Sequence, residues 1–311
     1  MNNRIARFVA VTTGGAAMYV ASPPRELWWL APASIALLAW ALRDRSVRAG
    51  FGYGFLFGVA YLLPLLAWLY DFLGPEFGVW PWLGLVVLEA LFFGLAGAGM
   101  ARVSRLPGAA VWMAAVFMTA EALRSRVPYG GFPWGRVAFT QADGPFLPLA
   151  SLGGAVLVGF AVALTGCGLA ILARRPQRWV QHALVAVLPL VAGLALMPTV
   201  DSGPEDGVVV AAVVQGNAPD AGIRLRDDNT TIQANHMAQA DRLVDDVRAG
   251  RVPAPDLVIL PESVTRFDRF RRDPDLDRIA TELDVPVIVG GIAAGADGRA
   301  SNSMVLWNFY Y

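Results

Sequence analysis

Seven long apolar stretches constrain this chain more than any other feature. They lie near residues 8–21, 27–42, 51–72, 80–101, 107–124, 148–173 and 180–198. A helix that is hydrophobic all round has to be buried in protein or lipid, because it has no polar face to turn toward water. With 56% hydrophobic and only 16% charged residues, the chain is too apolar for a soluble protein of 311 residues. A polytopic α-helical membrane domain of about seven spans is therefore expected over residues 1–200. The first two stretches fall short of the roughly 20 residues of a perpendicular span, so they tilt little, thin the bilayer or pair as a hairpin. Proline and charge mark the joins, at Pro23-Pro24-Arg25, Arg43-Asp44-Arg45, Pro107 and Arg174-Arg175-Pro176.

Charge sets the orientation. Every one of the 25 basic residues is an arginine, and they are unevenly spread. Residues 1–200 hold 14 Arg against 7 acidic residues, and residues 201–311 hold 11 Arg against 18 acidic. Along alternate connections, the set containing the N-terminus carries ten arginines and the other set carries four (Arg25, Arg124, Arg126 and Arg136). The positive-inside rule puts the N-terminus in the cytoplasm, and an odd number of spans then leaves residues 201–311 outside. A cleaved signal peptide over 1–21 is the competing reading, and it would leave six spans. The single cysteine and two histidines exclude a disulfide framework and a Cys/His zinc site. No cofactor is implied, and neither a phosphate-cradling glycine loop nor a nucleic-acid surface is present.

The second half alternates strand and helix patterns. "GVVVAAVVQGN" (207–217) reads as a buried strand ending in a Gly216-Asn217 turn. Residues 226–249 follow helical spacing, with Ile232, Met237, Ala240, Leu243 and Val247 as one stripe, Asp227 and Asp228 at the start and Gly250 at the stop. "DLVILPES" (256–263) reads as a buried strand that stops at Pro261 and presents Glu262 at its tip. A helix near 274–283 and strands at 285–294 and 303–307 complete an α/β layered domain.

"VVQGN" (213–217) followed by "LVILPES" (257–263) resembles the start of a nitrilase-superfamily domain. Seven preceding spans, with "GFPWG" (131–135) in an outer connection, make the chain similar to apolipoprotein N-acyltransferase, a membrane-bound family of that superfamily. The resemblance implies an incomplete α-β-β-α sandwich over residues 201–311. It also implies a bacterial inner-membrane enzyme that moves an acyl chain from a phospholipid donor to the N-terminus of a diacylated lipoprotein acceptor. In that chemistry a cysteine thiolate holds the acyl group as a thioester, a lysine stabilises the oxyanion and a glutamate is the general base. Glu262 matches the base, with its proton affinity expected to be raised by Val258, Ile259 and Leu260. Phe132, Pro133 and Trp134 match a loop beside the site's mouth, which makes them candidates for the substrate path, although an interfacial aromatic belt explains them equally. Trp28, Trp29, Trp80 and Trp82 fit the belt alone.

The lysine and cysteine of the family would follow "SNSMVLW", and neither is found among these residues. Cys167, in "LTGCGLA", lies about 30 Å along its helix from the outer end and reads as a small packing residue between Gly166 and Gly168. The expectation is a C-terminally shortened family member that is inactive alone. One half of a split acyltransferase, a non-catalytic membrane partner and, last, a transporter-like bundle are the alternatives. Glu89, mid-span, costs roughly 2.5–3.5 kcal/mol on insertion scales and so must face protein, water or a polar lipid group; a protonated or helix-to-helix hydrogen-bonded carboxyl is favoured over a functional role. Glu121 and Arg124, one turn apart, read as a structural pair. His182 and His236 read as solvated, and "RFDRFRRD" (266–273) as a solvated loop that could touch anionic headgroups.

Overall fold

The computed structural model describes residues 2–25, 27–173, 179–200, 203–204, 206–217, 229–267, 272–294 and 299–308. The chain forms two compact units, Met1–Ser202 and Gly203–Tyr311.

The first unit is helical: α1 (Asn2–Ala21), α2 (Leu30–Leu42), α3 (Val47–Leu65), α4 (Trp68–Phe77), α5 (Trp80–Val103), α6 (Ala109–Arg124), α7 (Ala150–Leu172) and α8 (Trp179–Leu196). Each of the seven apolar stretches contains a helix, and the third contains two. There α3 and α4 meet at 80°. Pro64 supplies no amide hydrogen, and the turn after it closes with tighter bonds from Ala67, Leu69 and Tyr70 to residues three back. Three helical segments are long and apolar enough to cross a membrane: Trp80–Val103, Leu147–Leu172 and Trp179–Thr199. The bent α3–α4 pair makes a fourth. Within α7 the helix is broken at Gly153 and Gly154, which leave helical backbone geometry.

Helices α3 and α5 pack with almost no side chain between them. Gly50, Gly54 and Gly58, four residues apart on one face of α3, meet Ala90, Phe93, Gly97 and Ala101 of α5. A Cβ at Gly54 would fall 2.2 Å from the Phe93 carbonyl oxygen, and one at Gly97 2.3 Å from that of Gly50. Lipid tails are as apolar as leucine, so helices in a membrane gain from close backbone approach rather than from leaving water. Cys167 is fully buried in α7, where Gly166 lies against Pro32 and Ile35 of α2 and Gly168 against Ala186 of α8. The packing role expected of this neighbourhood is the one found.

The second unit is one four-stranded sheet, ordered β1 (Ala211–Val213), β2 (Leu257–Phe267), β3 (Val287–Ala294) and β4 (Ala300–Trp307). The first three strands are parallel and β4 is antiparallel. Helices α9 (Asn229–Arg248) and α10 (Pro274–Leu283) bury a core of Met237, Ala240 and Val244 with Leu276, Ile279 and Ala280 against Val258, Leu260, Val287 and Val289. Arg278 of α10 donates to Asp241 of α9, and that hydrogen bond pushes the guanidinium's pKa further up. Asp273 caps α10 by accepting from Asp275 N and Leu276 N. The opposite face of the sheet carries one register row, Val213, Ile259, Ile288 and Leu306, and its two ends are 74% and 63% exposed.

Several expectations change here. The valine run is not a long buried strand: only Ala211–Val213 pairs, and Val208 and Val209 are exposed. It lies at the sheet edge, where one neighbour strand can satisfy only one side of it. The helical stripe buries Val244 rather than Val247. His236 is buried, not solvated; it bridges the Ile232 carbonyl (2.7 Å) and Gln215 Oε1 (2.9 Å), and so ties the segment after β1 to α9. Asn217, where the strand was expected to end in a turn, takes a left-handed φ of 62°, and the residues that follow it lie outside the described residues. His182 is half-buried, with Nε2 unpartnered among the described residues. Asp227, Asp228, Arg174, Arg175, Pro176 and residues 268–271 of the arginine-rich loop lie outside the described residues.

Candidate functional site

In the first unit the candidate residues belong to the connection between α6 and α7. Arg124, the last residue of α6, is fully buried and organises this connection. Its guanidinium lies 2.9 Å from Glu89 Oε2 of α5, and both side chains are 1% exposed. The same group donates to the carbonyls of Phe132 (3.2 Å), Trp134 (2.8 Å) and Gly135 (3.3 Å). A planar, five-donor cation suits a carboxylate flanked by a ring of carbonyls, and a lysine could not span them. The Phe132 amide returns a bond to the Arg124 carbonyl at 3.0 Å, and Tyr61 of α3 donates to the Gly135 carbonyl at 2.9 Å.

The two glycines of "GFPWG" are forced by geometry. Gly131 has a φ of 78°, and a Cβ there would fall 2.1 Å from the Arg126 amide nitrogen. Gly135 has a φ of 66° and passes over the Tyr61 ring. Between them Phe132 and Trp134 stack at 6.1 Å, and Trp134 also packs on Trp68 of α4 at 5.4 Å. Pro133 and Trp134 are exposed and Phe132 half-buried. The loop thus has a rigid polar interior and offers aromatic faces outward.

This arrangement revises the pairing expected within α6. Arg124 pairs with Glu89, and not with Glu121. Glu121 instead accepts from the Val137 amide at 2.9 Å, with Arg136 Nε 3.7 Å away. The neighbour that mid-span Glu89 requires is an arginine on the adjacent helix. Glu89, Arg124 and Tyr61 were not singled out as loop supports. The available signal was that a carboxylate and an arginine in apolar segments each need an opposite charge.

In the second unit Glu262 lies within β2 and not at its tip. The pairing of β2 with β3 runs to Leu260↔Val289 and resumes at Thr265↔Gly291, so β2 advances five residues where β3 advances two. Pro261 sits in this bulge, where the ladder needs no amide hydrogen, and the strand continues to Phe267. Opposite it, Gly290 allows the two backbones to approach. A Cβ at that position would lie 2.8 Å from both Glu262 Cα and the Pro261 carbonyl. Beyond the bulge Thr265 Oγ1 donates to Asp273 Oδ2 at 2.9 Å, which fixes the re-entry of the strand.

The Glu262 side chain is exposed, and Asn302 Nδ2 of β4 donates to its Oε1 at 2.5 Å. Val258 and Leu260 are committed to the core beneath the sheet, so they do not strip water from the carboxylate as expected. What the geometry provides is a carboxylate lifted from a sheet by a bulge and oriented by one amide donor. Asn302 was not anticipated from sequence, because its register with Glu262 exists only once β4 pairs. The only thiol is the buried Cys167, and the chain contains no lysine. Among the described residues no three of His, Cys, Asp and Glu gather where they could hold a metal ion.

The comparisons agree with these features. The family model described as the apolipoprotein N-acyltransferase N-terminal domain matches residues 14–168, which include α2 to α6, Glu89, Arg124 and the "GFPWG" loop. The chain is similar to the apolipoprotein N-acyltransferase of Mycolicibacterium smegmatis, 38% identical over 98% of this chain and 55% of the relative. It is also similar to those of Azotobacter vinelandii (31% identical, 89% of this chain, 55% of the relative) and Allorhizobium ampelinum (26%, 98% and 61%). The chain spans little more than half the length of these relatives. With a matched N-terminal domain and nearly its whole length aligned to these enzymes, this membrane protein belongs to the apolipoprotein N-acyltransferase family.

Proposed function

We propose that these residues supply the membrane domain and the glutamate-bearing part of the acyl-transfer domain of an enzyme that N-acylates the N-terminal diacylglyceryl-cysteine of bacterial lipoproteins, with a phospholipid as acyl donor. The observation that carries this reading is Glu262, presented in a bulge and held by Asn302. In this role Glu262 is the general base: it takes the proton first from the attacking thiol and later from the acceptor amine. Phe132, Pro133 and Trp134 line the way in for acyl chains, and their exposed aromatic faces on an anchored loop suit that task. The thioester needs an accessible thiolate, and buried Cys167 cannot supply it.

On this reading the helices make seven spans in the inner membrane, with α1 and the short α2 and α6 among them. The N-terminus is cytoplasmic and residues 203–311 lie outside. The arginine bias supports this orientation. The open apolar row Val213, Ile259, Ile288 and Leu306 supports a nitrilase-like sandwich, because a second sheet is what such a face packs against.

A chimera tests the proposal. These 311 residues replace the matching part of the Mycolicibacterium smegmatis enzyme, and acylation of a diacylated lipopeptide is measured in phospholipid vesicles. The chimera is expected to acylate, and Glu262→Gln to lower the rate by about 10²–10⁴-fold. A Glu262→Gln chimera that turns over at the parent rate excludes Glu262 as the base.

A further inference from the structure

We propose that the first unit holds a phosphate group in a cleft of about 300 Å³ formed where α2 ends, α5 connects to α6 and α8 begins. The cleft is remote in the chain from the "GFPWG" loop and independent of the acyl-transfer reading. Its walls include Arg43, Arg105, Gln181 and His182, together with Ala109 and Ala110 of the first turn of α6, and among the described residues no acidic side chain lines it.

Three observations point to an anion. First, Arg43 Nη1 and His182 Nε2 are buried and have no hydrogen-bond partner among the described residues. Buried donors are almost always satisfied, so two orphans on one cleft call for an acceptor. Arg43 does have an ionic neighbour, Asp44, but that carboxylate is 3.9 Å from Nε, is itself largely exposed, and leaves Nη1 unmet. Second, Arg105 adds a second, exposed guanidinium to the same wall. Third, α6 begins after Gly108, which is left-handed and offers no side-chain cap, and Gly108, Ala109 and Ala110 line the cleft, so the positive end of the α6 dipole belongs to its wall.

The cleft thus draws a guanidinium, an imidazole and the first turn of a helix from three elements. A carboxylate has two oxygens in one plane, whereas a phosphate presents oxygens in several directions and can meet all of them. The phosphate could be free or belong to a lipid headgroup at the membrane surface.

The test uses the whole chain. In detergent micelles, inorganic phosphate is titrated against sodium chloride at matched ionic strength, and the thermal unfolding midpoint is followed. In nanodiscs, phosphatidylcholine alone is compared with phosphatidylcholine mixed with phosphatidylglycerol. The expected result is stabilisation by phosphate, by the anionic lipid, or by both. The apparent affinity should weaken roughly tenfold for each arginine lost in Arg43→Gln and Arg105→Gln. Arg48→Gln, exposed on α3 and outside the cleft, should change nothing. Stabilisation by inorganic phosphate assigns a free-anion site, and stabilisation by phosphatidylglycerol alone assigns a headgroup site. Should the double variant fail to fold by circular dichroism, Arg105→Gln alone carries the comparison. The proposal is overturned if neither ligand stabilises, if the cleft variants respond like the parent, or if Arg48→Gln loses the response equally.

Discussion

Arg124 and Glu89, 35 residues apart and on adjacent helices, form a fully buried ion pair at 2.9 Å, and the same guanidinium holds three carbonyls of the Phe132–Gly135 loop. Removing one partner of such a pair strands a charge, so Arg124→Ala or Glu89→Ala should cost about 3–5 kcal/mol. Glu89→Gln keeps an acceptor oxygen and should cost less. Arg124→Lys should behave more like the alanine variant, because an ammonium cannot reach across the carboxylate and the carbonyls together. Unfolding in micelles ranks the four variants, and protease nicking between residues 127 and 136 reports release of the loop. Equal stability of Glu89→Ala and parent contradicts this account.

This pair also shows where reading from sequence stops. The seven apolar stretches were legible because a helix without a polar face shows as continuous apolarity, and a helix falls on each of them. Local spacing favoured Glu121 as the partner of Arg124, since residues three apart share a helix face. The choice of Glu89 depends on the rotation of α6 against α5, which no local pattern encodes. The "GFPWG" loop was visible as a motif, but what holds it from inside, Arg124 and Tyr61, was not.

The α3–α5 seam predicts a second outcome. Gly54→Leu places a side chain where even a Cβ would sit 2.2 Å from the Phe93 carbonyl oxygen. Because the obstacle is backbone, no rotamer relieves it and the helices must separate, at the upper end of roughly 1–3 kcal/mol. Gly52, also on α3, meets nothing within 4 Å of a built Cβ, and Gly52→Leu should be tolerated. Thermal unfolding of the two variants side by side checks the contrast. Equal midpoints would mean that the seam is not close-packed.

In the second unit, His236→Ala should leave Gln215 Oε1 and the Ile232 carbonyl short of a ring partner, at about 1–3 kcal/mol. The loss should be local. Hydrogen exchange should speed up around 212–217 and along α9 while α5 and α7 keep their protection. A uniform change across the chain, or none, contradicts a stapling role.

The sheet was legible in its alternation of strands and helices, but less so in its ladder. Pro261 in "LVILPES" reads as a stop because proline cannot donate, and β2 nevertheless continues to Phe267. The bulge places Pro261 where no donor is needed, and the permission comes from Gly290 on another strand. The valine run 207–217 misleads in the opposite direction. β-branched composition marks a residue's tendency to enter a sheet, but an edge position pairs only three of the eleven.

The proposed seven-span topology makes a last prediction, for which Cys167 is an asset. The native thiol is fully buried, so a membrane-impermeant maleimide should ignore it, and any label must come from an introduced cysteine. Ser46, exposed between α2 and α3, belongs with the arginine-rich connections; Tyr129, fully exposed after α6, belongs with the arginine-poor set. In intact spheroplasts Tyr129→Cys should label and Ser46→Cys should not. After permeabilisation both should label, which separates sidedness from simple burial. The positive-inside bias rests on short connections near the span ends, where it orients helices most strongly, and both positions lie in such connections. Labelling of Ser46→Cys in intact cells would invert the orientation and bring residues 203–311 to the cytoplasmic side, away from lipoproteins on the outer face. Labelling of both from outside would mean that an even number of crossings separates residue 46 from residue 129, so that at least one of the α3–α4 pair, α5 and α6 does not span.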